Sequence, residues 1–250
     1  MPESDPILEE LGLMPVWQKR ALSTISAAEP AALEASSSAN VKAQKKEFEV
    51  IPDAALSASE TPISSLDWDT LKARVADCKR CRLCEKRNRT VFGVGDEKAS
   101  WMLVGEAPGA NEDRLGEPFV GQAGKLLDNM LHAVGRTREN GIYIANVIKC
   151  RPPGNRDPQL DEVAQCEPYL KRQLAIIRPQ LIIALGRFAA QSLLKTDASI
   201  SSLRNRVHQY EGVPVIVTYH PAYLLRNLPD KAKAWADLCR AQEIYQAMKH

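Results

Sequence analysis

Three polar segments of this chain carry side chains suited to binding and catalysis, and each follows a strongly apolar run. Glu106, Asn146 and His220 stand at the start of these segments. Loops that leave the carboxyl ends of parallel strands meet at one edge of an open α/β sheet, where such folds bind ligands. We therefore predict that the three segments line a single pocket.

The side chains in these segments suit a planar, carbonyl-rich heterocycle. The amide of Asn146 presents a donor beside an acceptor, which matches a ring edge with a carbonyl next to an N–H. His220, held by the proline that follows it, can donate to an oxygen on which negative charge develops. Phe119 can stack on a planar ring, although a single Phe after a loop is more often a core residue.

Carboxylates cluster after the first apolar run and offer a second chemical function. Glu106, Glu112 and Asp113 can position a water molecule or stabilise a cationic sugar. The alternative is a solvated charge cluster, since Arg114 follows directly. The sequence leaves both interpretations open for Glu112 and Asp113.

Four of the six cysteines have spacing typical of metal ligands: Cys78, Cys81, Cys150 and Cys166. The first two form a C-x2-C pair, and the other two lie far downstream, so one centre would join distant chain segments. Four thiolates suit a structural zinc or an iron–sulfur cluster. Spacing alone slightly favours zinc, and the absence of any metal remains an alternative. Cys84 and Cys239 fall outside this set.

Alternating strand and helix patterns indicate the elements that position these residues. A helix is expected from near Ser65 to the Cys78 loop, with Ser65 or Asp67 as its N-cap. The predicted strands are 101–104, 142–146, 181–185 and 213–218, with 207–209 beside the last, and the later helices are 123–134, 160–177, 187–194 and 230–248. This alternation predicts a three-layer α/β/α sandwich with a central, mostly parallel four-stranded sheet.

Composition divides the chain near residue 60. Residues 1–60 hold five Lys/Arg and ten Asp/Glu, whereas the remainder holds 28 and 21, so an acidic segment precedes a basic domain. We predict an extension over residues 1–64, with a short helix and a disordered linker, and a folded domain over 65–250. The short helix is a candidate docking segment for a protein partner. The basic domain suits a polyanion.

The N-terminus has no leader-like character, because it is acidic, and no apolar run approaches the ~20 residues of a membrane span. These features predict a cytoplasmic protein without membrane contact. We further expect a monomer.

The chain resembles the family 4 uracil-DNA glycosylases over residues 70–248. The resemblance lies in Gly105-Glu-Ala-Pro-Gly109, Pro118-Phe-Val-Gly121, Asn146-Val-Ile-Lys-Cys-Arg-Pro-Pro153 and His220-Pro-Ala-Tyr-Leu-Leu-Arg226. It implies a uracil-DNA glycosylase fold, hydrolysis of the N-glycosidic bond of uracil flipped out of single- or double-stranded DNA, and a role at the start of base excision repair. It also implies a [4Fe-4S] cluster on Cys78, Cys81, Cys150 and Cys166 in place of zinc.

The resemblance implies roles for individual residues in uracil binding. They are Glu106, Ala107 and Pro108 of the first motif, with Phe119, Asn146 and His220. Family 1 relatives orient water with an Asp in the first motif, and Ala107 stands at the comparable place here. Glu106 and Glu112 are therefore both candidates for this catalytic role, beside His220.

Candidates for DNA contact follow the histidine and surround the first cysteines. Leu224 or Leu225 can fill the space left by a flipped base, and Arg226 can hold a phosphate; the alternative places both leucines in the core. Arg87, in the basic stretch 79–89, is a further candidate for a phosphate contact. Two other classes of function remain open, an electron-transfer module and a DNA-binding accessory protein.

Overall fold

The computed structural model describes residues 61–249, so nearly all of the predicted N-terminal extension lies outside the described residues. The helices are α1 (Trp68–Ala76), α2 (Ala110–Leu115), α3 (Gln122–Ala133), α4 (Leu160–Ile177), α5 (Arg187–Leu194), α6 (Ile200–Leu203), α7 (Pro221–Leu224) and α8 (Lys231–Ala247). The strands are β1 (Val94–Gly95), β2 (Trp101–Gly105), β3 (Ile142–Asn146), β4 (Leu181–Leu185), β5 (Val207–Tyr210) and β6 (Val213–Thr218).

The strands of this part of the chain form one six-stranded sheet in the order β1-β3-β2-β4-β6-β5. The four central strands are parallel, as predicted, and the two edge strands pair antiparallel to their neighbours. The predicted number of strands, four, was therefore too low. It missed β1, which has only two residues and no apolar periodicity, and treated β5 as an adjunct of β6.

The register of the parallel strands aligns the ends that carry the functional residues. Gly105 at the end of β2 is paired with Asn146 at the end of β3, and Leu185 of β4 with Thr218 of β6. The chain passes from β2 to β3 on one side and returns to β4 on the other. Such a reversal of strand order opens a crevice at the carboxyl ends of the strands.

Alternating side chains of the central strands pack into two separate apolar layers. Met102 and Ile182 face α4 and α5 within one cluster. Leu103 and Ile183 face the opposite way, toward α3 and α8. The predicted α/β/α sandwich is therefore confirmed, and both faces of the parallel sheet are covered.

Local signals account for the starts of two helices, α1 and α4. α1 begins at Trp68 because the side chain of Asp67 accepts a hydrogen bond from the Thr70 N–H. α4 has the predicted bounds, and its start is fixed by a capping box between Gln159 and Glu162. α2 lies within the charged segment after β2 that the sequence indicated as a loop. Among the described residues, no helix has the length and apolar character needed to span a membrane.

Candidate active site and cysteine pocket

A cleft of about 730 Å³ opens where the central parallel strands end. The predicted residues that line it are Glu106, Ala107, Pro108, Glu112, Phe119, Asn146, His220 and Arg226. They come from loops after β2, β3 and β6 that are far apart in the chain. The structure therefore brings the predicted binding and catalytic residues together at one site.

Asn146 presents a buried and unsatisfied polar atom in this cleft. Its side chain is 2% exposed, and its Oδ1 has no hydrogen-bond partner among the described residues. A Cβ on Gly105 would lie 2.5 Å from this Oδ1 and 2.8 Å from Cζ of Phe119. Glycine at position 105 therefore makes the space in which the amide and the ring lie. An unpaired buried acceptor is costly, and a ligand N–H would satisfy it.

Phe119 is held in a conformation that non-glycine residues rarely adopt. Its φ is 56°, and its ring stacks against that of His220 with centroids 5.4 Å apart. Arg138 donates to the carbonyl oxygens of Pro118 and Phe119 at 3.0 and 2.6 Å, and it pairs with Asp128 at 2.5 Å. These bonds hold the loop and fix the ring, which belongs to the core and also lines the cleft.

The surroundings of His220 set both its position and its protonation state. Its Nδ1 accepts a hydrogen bond from the Ala222 N–H at 3.1 Å, so the proton of the neutral ring lies on Nε2. Burial lowers the pKa of His220 to about 4; the positive charge of Arg226 acts in the same direction and Glu112 opposes it. The ring is therefore a neutral donor near pH 7. Gly186 has a φ of 95°, and a Cβ there would lie 2.8 Å from Cβ of His220. Glycine at position 186 therefore leaves the space that this histidine occupies.

The two candidate carboxylates have different environments. Burial raises the pKa of Glu106 to about 7, with a further increase from Asp157 and an opposing effect from Arg187. Glu112 accepts hydrogen bonds through Oε1 from the N–H groups of Val120 and Gly121, at 3.0 and 3.4 Å. Glu112 therefore holds the Phe119 loop, whereas no hydrogen bond of this kind engages Glu106 within residues 61–249.

Asp113 also has a structural use. It is buried and accepts hydrogen bonds from the backbone N–H of Asn88 at 2.9 Å and from the Asn88 side-chain amide. These bonds tie α2 to the loop after the first cysteines. Asp113 is thus engaged away from the cleft.

Sequence reasoning missed an ion pair at the mouth of the cleft. Arg187, the first residue after the end of β4 and its glycine, pairs with Asp157 at 3.0 Å, and both line the cleft. Their charges act on Glu106 in opposite directions. The position of Arg187 after a central strand was the available signal; Asp157 lies in a loop and had none.

The candidate DNA-contact residues lie in three environments: the core, the exposed surface beside the cleft, and the cysteine pocket. Leu224, the last residue of α7, is 1% exposed and packs with Tyr219 and Ala234, which favours the alternative interpretation of this leucine as a core residue. Leu225 is 41% exposed, and the exposed Arg226 lines the cleft.

Arg87 is directed toward the cysteines. Its guanidinium donates to Sγ of Cys150 at 3.1 Å and to the carbonyl oxygen of Ala76 at 3.2 Å. A phosphate contact by Arg87 stays a prediction, and in this structure its donors serve a thiol.

The four predicted cysteines line one small pocket, which is separate from the cleft. Cys78 and Cys81 follow α1, Cys150 lies beyond β3, and Cys166 is on α4. Within residues 61–249, no group of three or more His, Cys, Asp or Glu side chains converges on one metal-ion position. The thiols instead surround a shared space that Val75 and Tyr169 also line. Cys84 and Cys239 do not line it.

The donor chemistry of this pocket fits a thiolate-bound metal centre. The backbone N–H of Lys149 lies 3.3 Å from Sγ of Cys166, and Arg87 donates to Cys150. Burial raises the pKa of Cys150 to about 11 and that of Cys166 to about 12. Both thiols are therefore protonated near pH 7 unless a metal displaces their protons. An all-sulfur donor set with N–H groups aimed at sulfur suits a soft metal or an iron–sulfur cluster.

Comparison with known proteins agrees with this geometry. The family model of the Uracil DNA glycosylase superfamily matches residues 92–239 of this chain. A type-4 uracil-DNA glycosylase of Archaeoglobus fulgidus is 48% identical over 165 residues, which cover 63% of this chain and 82% of the relative. One from Thermotoga maritima is 43% identical over 161 residues, covering 64% and 83%. A type-5 enzyme of Pyrobaculum aerophilum is 31% identical over 194 residues, covering 64% and 84%.

The relatives with the higher identities are named type-4 uracil-DNA glycosylases, and the type-5 relative is less similar. The chain belongs to the uracil DNA glycosylase superfamily and, within it, to the type-4 uracil-DNA glycosylases.

Proposed function

We propose that this chain excises uracil from DNA by hydrolysing its N-glycosidic bond, the first step of base excision repair. The observation that carries the proposal is the juxtaposition in one cleft of the unsatisfied Asn146 amide, the Phe119 ring and the neutral His220 donor. The names of the relatives support the same activity. No observation favours an electron-transfer module or an accessory protein without glycosylase activity.

The cleft accepts a base only after the nucleotide leaves the stacked strand. Flipping costs a few kcal/mol and is least costly for mismatched or single-stranded bases. In the cleft, the uracil ring stacks on Phe119. The Asn146 amide donates to a ring carbonyl and accepts from the neighbouring N–H through its buried Oδ1. Glu106, Ala107 and Pro108 form the adjoining wall.

His220 supports the departure of uracil as an anion. When the bond between sugar C1′ and the base nitrogen breaks, its electron pair stays on uracil, and negative charge spreads to the ring oxygens. The Nε2–H of a neutral imidazole stabilises that charge, and a low pKa suits this role because no imidazolium is required. Water then adds its oxygen to C1′, and uracil takes up a proton.

Glu106 is the carboxylate we assign to the sugar side of the reaction. It lines the cleft with a pKa near 7, so its ionised form can orient water or stabilise the cationic sugar at slightly alkaline pH. Glu112 supports catalysis indirectly, because its hydrogen bonds to Val120 and Gly121 hold the loop of the stacking ring.

Contacts to DNA are assigned to the exposed residues beside α7. Leu225 fills the space left by the flipped base, and Arg226 at the mouth of the cleft holds a phosphate. We propose that the enzyme acts as a cytoplasmic monomer on single- and double-stranded DNA, with residues 1–64 available to a protein partner. The basic character of the chain beyond residue 60 supports DNA as the substrate.

We also propose a [4Fe-4S] cluster on Cys78, Cys81, Cys150 and Cys166. The shared pocket and the N–H groups aimed at two of the sulfurs support a thiolate-bound cluster. When bound, it supplies a cross-link between α1, the segment after β3 and α4. Arg87 and the Lys149 N–H stabilise the thiolates.

The direct test is release of free uracil from U:G, U:A and single-stranded oligonucleotides. The wild-type chain should release uracil from all three, and His220→Ala should lower kcat by about 10²–10³-fold, as expected for the loss of a donor to developing negative charge. The kcat of Asn146→Ala should fall by a similar factor. His132→Ala, on the exposed end of α3, is the matched control. Full activity in both cleft variants, or no free uracil from the wild type, would contradict the proposal.

A further inference from the structure

Lys149 is buried between the cysteine pocket and the base cleft. It is 1% exposed and lines the cysteine pocket. Its Nζ donates to the backbone oxygen of Asn146 at 3.0 Å and to Oε1 of Gln173 at 2.7 Å. One side chain therefore contacts the base-reading residue and lies beside the proposed cluster.

The charge of this lysine has no carboxylate partner. Within residues 61–249, no salt bridge joins Lys149 to Asp or Glu, and both of its hydrogen-bond acceptors are neutral. Lys149 lines the same pocket as Cys150 and Cys166. Burial of an ammonium without a counter-charge is unfavourable. A cluster held by four thiolates carries a net negative charge and would supply the missing counter-charge.

The acceptors of Lys149 are themselves rigidly held. Gln173 is fully buried, and its Nε2 donates to the carbonyl oxygen of Phe92 at 2.9 Å. This bond orients its Oε1 toward the ammonium. On the other side, the N–H of Val147 donates to the Gly105 carbonyl oxygen at 2.9 Å. Lys149 thus ties the end of β3 to α4 at the point where Asn146 leaves the strand.

We propose that Lys149 is the positioning residue that couples the two pockets. Its ammonium is the counter-charge of the cysteine-bound cluster, and its hydrogen bond to the Asn146 carbonyl oxygen holds the base-reading amide in place. The inference rests on the proposed function and on the proposed cluster. It gives the metal centre a role in base recognition in addition to cross-linking.

The test compares three variants of the full chain with its cluster intact, as checked by visible absorbance. Lys149→Met removes the charge and the donors at similar length. Gln173→Glu gives the ammonium a carboxylate partner and keeps its bond to Asn146, but it removes the hydrogen bond donated to Phe92. Lys98→Met is the control. It removes an exposed lysine in the turn before β2, at the end of that strand opposite the cleft. The readouts are the reduction potential of the cluster, and kcat and KM for uracil release.

Lys149→Met should shift the reduction potential downward and lower kcat by at least about tenfold, with little change in KM, because Asn146 is misplaced and the DNA contacts are not. Gln173→Glu should shift the potential downward, and its kcat should fall less than that of Lys149→Met because the bond from Lys149 to the Asn146 carbonyl oxygen is kept. Lys98→Met should change neither quantity.

Two results would overturn the inference. An unchanged potential in Gln173→Glu and Lys149→Met contradicts the counter-charge role, and wild-type kcat in Lys149→Met contradicts the positioning role. If Lys149→Met fails to fold, Gln173→Glu still decides the first point. A wild-type chain that releases no uracil would instead contradict the proposed function, so the two failures are distinguishable.

Discussion

The base cleft and the cysteine pocket share one chain segment, yet the fold builds them by different means. Asn146 and Cys150 lie within that segment, on either side of Lys149. The cleft forms where hydrogen-bonded parallel strands end in register, so the backbone of the sheet sets its position. The cysteine pocket joins α1, a loop and α4 through side chains. The first site is preorganised by the sheet, whereas the second needs a ligand to complete it.

Burial has opposite consequences for the chemistry of the two regions. In the cleft it lowers the pKa of His220 to about 4 and leaves the neutral donor that anion stabilisation requires. In the cysteine pocket it raises the pKa of Cys166 to about 12 and disfavours the thiolate that metal binding requires. Only a bound metal reverses this second effect, because it displaces the thiol proton.

Loss of a cysteine ligand should have the largest effect, because the cysteine pocket is the region that needs a ligand to complete it. Cys150→Ala should abolish the visible absorbance of the cluster and lower the melting temperature, because the cross-link between α4 and the segment after β3 is lost. Absorbance spectra and thermal melts measure both. Cys84→Ala, outside the pocket, should keep the wild-type spectrum. A Cys150→Ala protein with full absorbance would show that the ligand set is wrong.

A smaller effect is expected when the hydrogen bonds that hold the stacking ring are removed. Arg138→Met removes both hydrogen bonds that hold the left-handed Phe119, and charge-assisted bonds of this kind contribute about 1.5–3 kcal/mol each. Uracil release should fall about tenfold in kcat/KM, a partial loss because Glu112 still holds the loop. Steady-state kinetics check this, with the exposed Arg206→Met as the control. An equal loss in both variants would indicate a general charge effect on DNA binding.

The smallest expected effect concerns pH. The pKa of Glu106 is about 7, so the ionised fraction, and with it kcat, should rise as the pH increases through 7. His220 adds no change in this interval because its pKa is about 4. Glu106→Gln should flatten the profile between pH 6 and 8, with little change in kcat at acidic pH, where the wild-type carboxyl is neutral, and a loss of a few fold on the alkaline side. Glu139→Gln, in an exposed turn, should keep the wild-type profile. A rise that persists in Glu106→Gln would exclude this residue as its source.

The sheet that positions the cleft was predictable, and its edges were not. Long apolar runs fixed the four parallel strands, and a capping box with a clear apolar stripe fixed α4. β1 has two residues, too few for a periodic pattern. α2 has six residues with a charged sequence, so its helical state depends on tertiary contacts such as the bonds of Asp113 to Asn88.

Residue types at the strand ends indicated the cleft, but the division of roles within it depended on the fold. Two adjacent leucines are equivalent in the sequence, and only the path of α7 separates the buried Leu224 from the exposed Leu225. The clamp by Arg138 acts on a residue 19 positions away, which no local pattern reveals. Likewise, the hydrogen bonds of Glu112 and Lys149 depend on tertiary packing.

The most direct test of the account is the base preference of Asn146→Asp in single-stranded DNA. A carboxylate accepts but cannot donate, so it repels the uracil carbonyl and suits the amino group of cytosine. We expect uracil release to fall at least about 100-fold and the ratio of cytosine to uracil release to rise, with the visible absorbance of the cluster unchanged. Wild-type uracil release by Asn146→Asp would contradict the claim that this strand end reads the base.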